Sequence, residues 1–176
     1  MLADFSSYLL TFTRLAAAFI FALSAANKWR DFPAFTQAIV NFQILPGRGV
    51  KPAAVLLATA ELAVVAMMLL GGPFLLPGFL LALALLSLFT VALMSVLTRG
   101  LHTSCNCFSA TARPITAFQV WRNGSFIGCI AAGCLLLPAA PMGMNLLELC
   151  LLSIVAATFV LLVNNLEEIV TLVRPV

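Results

Sequence analysis

Apolar residues fall in five long runs along the chain, and short clusters of polar residues, glycine and proline separate these runs. A helix needs about 20 mostly apolar residues to cross the hydrocarbon core of a membrane. Each run therefore predicts a transmembrane helix, and the five predicted spans are Tyr8–Ala26, Pro52–Leu70, Phe74–Leu97, Ile115–Leu137 and Leu146–Val163.

The connections between these spans are of two kinds. Gly71–Pro73 and Pro138–Gly143 are short clusters of helix-breaking residues, which indicate tight turns between antiparallel helices. Asn27–Lys51 and Thr98–Pro114 are longer and polar. An even number of spans separates these two long loops, so they are predicted to lie on the same face of the membrane. Five spans place the two termini on opposite faces.

Composition supports the membrane assignment and excludes other classes. Of the 176 residues, 63% are apolar and 9% are charged, whereas soluble domains are about 45–50% apolar and about 25% charged. The net charge of +3 arises from loop residues and forms no basic stripe for nucleic acid. We therefore predict a single all-α membrane domain over residues 1–176, a bundle of about five transmembrane helices in the lipid bilayer with two longer loops on one face.

The five cysteines divide into two groups. Cys129, Cys134 and Cys150 lie inside predicted helices, where cysteine behaves as a small apolar residue. Cys105 and Cys107 lie in the loop before the fourth helix. A disulfide between cysteines this close is strained, and strained, accessible disulfides exchange readily. Cys105 and Cys107 are therefore the candidate redox pair.

The neighbours of this pair favour thiolate chemistry. Arg99 and Arg113 flank the loop, and the start of the fourth helix adds a positive dipole end. His102 could exchange a proton with a nearby thiol, or could complete a metal site with Cys105 and Cys107, since all three side chains bind copper(I) or zinc. The residues alone leave redox thiols, a metal site and an inert pair as alternatives.

Ionisable residues inside membrane spans are functional candidates. Counted from Pro52 and Ile115, Glu61 and Arg122 lie about 13 Å and about 10 Å below the face with the long loops. Arg14 lies about 9 Å from the opposite face, close enough to reach its own interface. We therefore predict that Glu61 contacts Arg122, with Asn123 extending the contact, either as a structural pair or with a role in proton or quinone chemistry.

Several of these residues occur in an order and spacing that resemble the MauE family of DoxX-like redox-associated membrane proteins. The resemblance covers about positions 14–135, and its most specific part is Cys105-Asn106-Cys107-Phe108 followed by Arg122-Asn123. The other matching elements are Arg14, Asn27–Phe32, Leu45-Pro46, Glu61 and Arg99-Gly100.

The resemblance implies a role in the maturation of an exported partner in the bacterial inner membrane. That partner would be the disulfide-rich small subunit of methylamine dehydrogenase, with a thioredoxin-like MauD-type protein acting alongside. A further similarity to vitamin K epoxide reductase-type proteins implies a quinone as electron acceptor. Under this interpretation Cys105 and Cys107 exchange disulfides. The alternatives are a non-catalytic assembly factor for the same client and a metal-handling membrane protein.

Two arguments give opposite predictions for the side of the membrane that the thiols face. Cationic residues favour the cytoplasm, and the face with the long loops has seven of them: Lys28, Arg30, Arg48, Lys51, Arg99, Arg113 and Arg174. An exported client and the usual compartment for disulfides instead require the periplasm. We favour the periplasmic side.

Overall fold

The computed structural model describes residues 2–44, 46–100, 117–139 and 145–173. Within these residues the chain forms six α-helices and no strand. This confirms the predicted all-α class. The helices are α1 (Leu2–Arg30), α2 (Phe32–Asn41), α3 (Gly47–Leu70), α4 (Leu75–Thr98), α5 (Ala117–Leu136) and α6 (Leu146–Val173). His102, Cys105, Cys107 and Arg113 lie outside the described residues, so their roles remain predictions.

Four segments of the described chain are long and apolar enough to cross a membrane. They are Phe5–Arg30, Gly47–Leu70, Gly72–Thr98 and Leu146–Leu166. The predicted span Ile115–Leu137 corresponds to α5, which is not among these four because Gln119, Arg122 and Asn123 lower the mean hydropathy of its first turns. The chain is an all-α membrane protein, and α5 is the long helix whose apolar stretch is too weak to count among the candidate spans.

The long helices pack around α1. Helix α1 contacts α3, α5 and α6, and α4 contacts α3 and α5, so α1, α3, α4 and α5 form a ring of four helices. Small side chains in the middle of α1 allow close helix packing, as is usual in membranes. The centre of the bundle is apolar and includes Ala16, Ala17, Ile20, Phe21, Val64, Met68, Phe79, Leu86, Phe126 and Ile130.

The prediction of a long polar loop over Asn27–Lys51 is wrong. Helix α1 continues to Arg30, α2 follows at once, and α3 begins at Gly47. The Asp31 side chain accepts a hydrogen bond of 3.1 Å from the Ala34 backbone N–H, and Pro33 occupies the first turn of α2. Both features are typical of helix starts, so this polar cluster begins a helix.

Two ends of the bundle follow from these helix directions. The α2 end comprises Arg30, α2, Gly47, Thr98 and Ala117, and the hairpin end comprises Leu70, Leu75, Leu136 and Leu146. The predicted turn between α3 and α4 is confirmed at the hairpin end. There Gly71 and Gly72 have φ angles of 71° and 57°, which favour glycine because it lacks a Cβ.

Candidate functional site: a buried ion pair beside an apolar cleft

An ion pair inside the bundle joins Lys28, near the C-terminal end of α1, to Glu61 in the interior of α3. The side chains of Lys28 and Glu61 are both 0% exposed. Lys28 Nζ donates a hydrogen bond to Glu61 Oε1, and Ser24 Oγ donates to the same oxygen at 2.9 Å. Ser24 and Lys28 are four residues apart and therefore share one face of α1. Helix α1 thus directs two donors at a single carboxylate of α3.

Two aromatic rings complete the surroundings of the Lys28 ammonium group. Its Nζ lies 4.1 Å from the centroid of the Phe89 ring and 4.9 Å from that of the Phe35 ring. Both distances are within the range of cation–π attraction, which strengthens when the cation is removed from water. Helices α2 and α4 therefore help to stabilise the charged ammonium group of Lys28.

The two carboxylate oxygens of Glu61 differ in their hydrogen bonding. Glu61 Oε2 is buried and has no hydrogen-bond partner among the described residues. By helix rise, Glu61 lies about 21 Å along α3 from Gly47, far from the helix ends. A buried carboxylate oxygen without a donor is costly. The arrangement therefore leaves one strong acceptor available deep inside the bundle.

An apolar cleft adjoins this ion pair between α2, α3 and α4. Its volume is about 120 Å³. Phe35 and Phe89, whose rings contact the Lys28 ammonium group, line the cleft. Leu57 also lines it and lies one helical turn before Glu61 on α3. The remaining lining residues are Ala38, Ile39, Phe42, Ile44, Leu88 and Ala92.

The predicted contact between Glu61 and Arg122 is wrong. Glu61 pairs with Lys28, and Arg122 Nη1 donates to Asn164 Oδ1 of α6 at 3.2 Å. Matching depths could not identify the partner, because helix α5 packs against α1 and α4 while Glu61 reaches α1 from α3. The predicted end of the first span at Ala26 also placed Lys28 in a loop.

The Arg14 side chain forms hydrogen bonds with backbone carbonyls at the hairpin end. Its Nε donates to the Met68 carbonyl and its Nη2 donates to the Leu69 carbonyl at 2.8 Å. These carbonyls belong to the last turn of α3, where intrahelical partners run out. Arg14 therefore caps α3.

The other predicted residues are dispersed. Arg99 is exposed and donates to the Phe42 carbonyl at 3.2 Å and to Gln43 Oε1 at 3.3 Å, joining the ends of α4 and α2. Asn123 is buried on α5. Cys129, Cys134 and Cys150 lie in helices, as predicted, and all three are free thiols. No group of three metal-binding side chains occurs in the described residues, and the predicted alternative with His102 lies outside them.

Sequence reasoning missed Lys28 and Ser24. The available signal was their spacing of four residues at the end of an apolar run, followed by Asp31 and Pro33 as the start of another helix. Together these residues indicate that the polar cluster is still helical, so Lys28 faces the same direction as Ser24.

Comparisons with known proteins agree on one family. The family model of methylamine utilisation protein MauE matches residues 6–137, which include both residues of the buried ion pair. The chain is 32% identical over 112 residues to the methylamine utilization protein MauE of Paracoccus denitrificans, covering 62% of this chain and 60% of the relative. The chain thus spans about three fifths of that relative. No solved structure matches. The chain belongs to the MauE family, and its helical bundle contains a buried lysine–glutamate pair.

Proposed function

We propose that this protein acts in methylamine utilisation by assisting disulfide formation in an exported partner, the small subunit of methylamine dehydrogenase. Cys105 and Cys107 carry the exchange. The observation that supports this proposal best is the Lys28–Glu61 pair, because ionisable groups buried inside a membrane bundle are expensive and usually functional. A scaffold that only docked a client would not need them.

The position of the ion pair supports a link with the thiols. The segment with Cys105 and Cys107 follows Gly100, after the end of α4, and precedes Ala117, the start of α5. Both helix ends belong to the α2 end of the bundle, where Lys28 and α2 lie. Arg99 joins α4 to α2 at this end. Residues of the cleft and the flanks of the thiol segment are therefore held by the same helices.

The exchange balances as follows. A client thiolate attacks one sulfur of the Cys105–Cys107 disulfide, which releases the other cysteine as a thiol and forms a mixed disulfide. The second client thiolate then attacks the client sulfur of the mixed disulfide and releases the remaining cysteine of the pair. The client gains one disulfide and the pair gains two thiols. A disulfide of a thioredoxin-like MauD-type partner, or a quinone, reoxidises the pair by taking up two electrons and two protons. Arg99, Arg113 and His102 would raise the thiolate fraction, and Glu61, Arg122 and Asn123 would support the helices beneath.

Replacing the thiols tests the exchange. We expect Cys105→Ser and Cys107→Ser each to abolish disulfide formation in the client, measured in cells by the electrophoretic mobility of the alkylated subunit. The matched control replaces Cys129, Cys134 and Cys150 with Ala, which should leave most of the function. Full client maturation in the Cys105→Ser/Cys107→Ser variant would refute the exchange and favour the non-catalytic assembly factor.

Trapping tests the mechanism more directly. With only one of the two thiols present, the remaining thiolate attacks a disulfide of its partner, releases one partner thiol, and forms a mixed disulfide that no second thiol of this protein can resolve. We expect Cys107→Ser or Cys105→Ser to yield a covalent adduct that reductant removes and that mass spectrometry identifies. The absence of any adduct from both single variants would contradict the mechanism.

The proposed location is the bacterial inner membrane, with the thiol segment on the periplasmic side. A membrane-impermeant maleimide applied to spheroplasts tests this orientation in a variant whose only cysteines are a reduced Cys105 and Cys107. Labelling before lysis is the expected result. Labelling only after lysis would place the thiols in the cytoplasm, as the loop charges suggest.

A further inference from the structure

We propose that the cleft between α2, α3 and α4 holds an acyl chain of an anionic phospholipid, and that Arg99 binds the phosphate of its head group. Lipid binding at this site does not depend on the thiol exchange proposed above. Three features support it: the lining of the cleft, its depth in the bundle, and the cations at the α2 end.

The lining of the cleft selects an apolar ligand. All nine of the described residues that line it have apolar side chains, and its volume is about 120 Å³. A polar ligand atom would find no hydrogen-bonding side chain among them, and burying such an atom without a partner is costly. An apolar cavity of about 150 Å³ is large enough to bind benzene. The cleft is therefore large enough for part of a hydrocarbon chain.

The depth of the cleft matches one leaflet of a bilayer. Ile44 lines it just beyond the end of α2. Leu57 lies ten residues after Gly47, and Leu88 lies ten residues before Thr98, so by helix rise both are about 15 Å from the α2 end. Half of a hydrocarbon core about 30 Å thick is also about 15 Å. The lining therefore extends over the depth that the acyl chains of one leaflet occupy.

The cleft is open towards the bilayer. Two of its lining residues, Ile44 and Leu88, are 50% and 52% exposed. Helices α3 and α4, which flank it, both lie within candidate membrane spans. The exposed apolar surface of a membrane span contacts lipid tails. Acyl chains are therefore the molecules that surround the mouth of the cleft, and one of them can enter it sideways.

Arg99 places a cation at the α2 end of the cleft. Its Nη1 donates to the carbonyl of Phe42, a lining residue, at 3.2 Å, and its Nη2 donates to Gln43 Oε1 at 3.3 Å. These bonds use two of the five N–H donors of the guanidinium group, and the side chain is exposed. Arginine suits phosphate because its planar fork can donate to two phosphate oxygens at once. The phosphate of a lipid whose chain lies in the cleft would therefore meet Arg99.

Two further cations favour a lipid with a net negative charge. Arg48 and Lys51 are exposed in the first turns of α3, at the same end of the bundle as Arg99. The sequences of α2, of α4 and of α3 before Glu61 contain no acidic residue. Basic residues at the end of a membrane span attract anionic lipids, whereas a zwitterionic head group would add a cation of its own. The charges around the cleft therefore complement an anionic head group.

A phosphatidylglycerol with a photoreactive diazirine in its acyl chain tests the site on the full chain in detergent micelles. Ala92 lines the cleft, whereas Ser87 is exposed on the same helix and points about 140° away from Ala92. We expect saturable labelling of the lining residues, mapped by mass spectrometry. Ala92→Phe should weaken it at least tenfold by filling the cleft, and Ser87→Phe should leave it unchanged. Absence of saturable labelling, or equal labelling in Ala92→Phe and the unaltered chain, would overturn the proposal.

Competition on the unaltered chain tests the head group. Unlabelled phosphatidylglycerol should displace the probe at least tenfold better than phosphatidylcholine with the same acyl chains. Arg99→Gln should reduce this preference about fivefold, and Arg30→Gln, which removes an exposed cation from the same end of the bundle, should leave it unchanged. Equal competition by the two lipids, or an unchanged preference in Arg99→Gln, would refute the anionic assignment. The comparison of the two lipids needs no substitution and stays decisive if Ala92→Phe does not fold.

A second copy of the chain is the other occupant that an experiment can detect. Leu88 is exposed at the mouth of the cleft, so Leu88→Cys in a variant without the five native cysteines reports on what covers it. We expect the chain to remain a monomer when a short bismaleimide is added to membranes, because lipid lies at this position. An efficient covalent dimer would show that a second copy covers the cleft, and the lipid assignment would be wrong.

Discussion

Helix α1 carries two cations inside the membrane span, Arg14 and Lys28, and the two have different kinds of hydrogen-bond partner. Arg14 donates to the carbonyls of Met68 and Leu69 at the end of α3. Lys28 pairs with the carboxylate of Glu61, with both side chains fully buried. Arg14 uses backbone groups that every helix end leaves free, whereas Lys28 needs a second buried charge.

This difference separates a structural cation from a functional candidate. Capping a helix end introduces no further charge into the membrane. Burying an ion pair removes two charges from water. A protein in which apolar residues of similar size replace the pair is often equally stable or more stable. The Lys28–Glu61 pair is therefore poorly explained by stability alone.

Breaking the ion pair should have the largest effect. Removing one partner of a buried pair costs about 3–5 kcal/mol because the other charge is stranded. We expect Lys28→Met or Glu61→Gln to lower the free energy of unfolding by that order, and the double variant to lose less than the sum. Thermal unfolding in detergent measures this, with the exposed Lys51→Met as control. Strictly additive losses would show that the two side chains are not coupled.

Removing the Arg14 cap should have a smaller effect. Hydrogen bonds from a charged donor contribute about 1.5–3 kcal/mol, and part of the Arg14 side chain is accessible to solvent. We expect Arg14→Gln to destabilise the protein by about 2 kcal/mol. Arg30→Gln on the same helix is the control, since Arg30 is exposed. A loss equal to that of Lys28→Met would remove the distinction between the two cations.

Packing near Arg14 offers a third test. A Cβ atom added at Gly133 of α5 would lie 2.9 Å from the Phe79 ring and 2.5 Å from Thr13 Oγ1, whereas one at Gly128 meets nothing within 4 Å. Overpacking typically costs about 1–3 kcal/mol. We expect Gly133→Ala to lose about 1–2 kcal/mol and Gly128→Ala to be neutral or slightly stabilising. Equal melting temperatures for the two variants would contradict this packing.

Arg99 should give the smallest change in stability. Its hydrogen bonds to Phe42 and Gln43 are exposed, and contacts of a charged side chain at the surface contribute about 0–1 kcal/mol because solvent screens them. We expect Arg99→Gln to lower the free energy of unfolding by less than about 1 kcal/mol. The rate of thiol alkylation at Cys105 and Cys107 is the informative measurement. A clear decrease supports the role of Arg99 in thiolate stabilisation, and an unchanged rate contradicts it.

The sequence alone was sufficient for the class of the protein. Long apolar runs and a charge content of 9% require helices in lipid, because no water is present there to satisfy the backbone. The turn at Gly71–Pro73 and the helical positions of Cys129, Cys134 and Cys150 followed from the same local rules. The order of Arg14, Glu61, Cys105-Asn106-Cys107 and Arg122-Asn123 indicated the MauE family, which the comparisons confirmed.

The pairing of charges was decided only by the tertiary structure. Depth along a helix can be counted from the sequence, but the direction of a side chain around the bundle depends on which helices are neighbours. Helix α1 contacts α3, so Glu61 meets Lys28 and Ser24, while Arg122 contacts Asn164. The buried position of Lys28 also required α2, because only a helix beyond Arg30 brings Phe35 to the cation and keeps water from it.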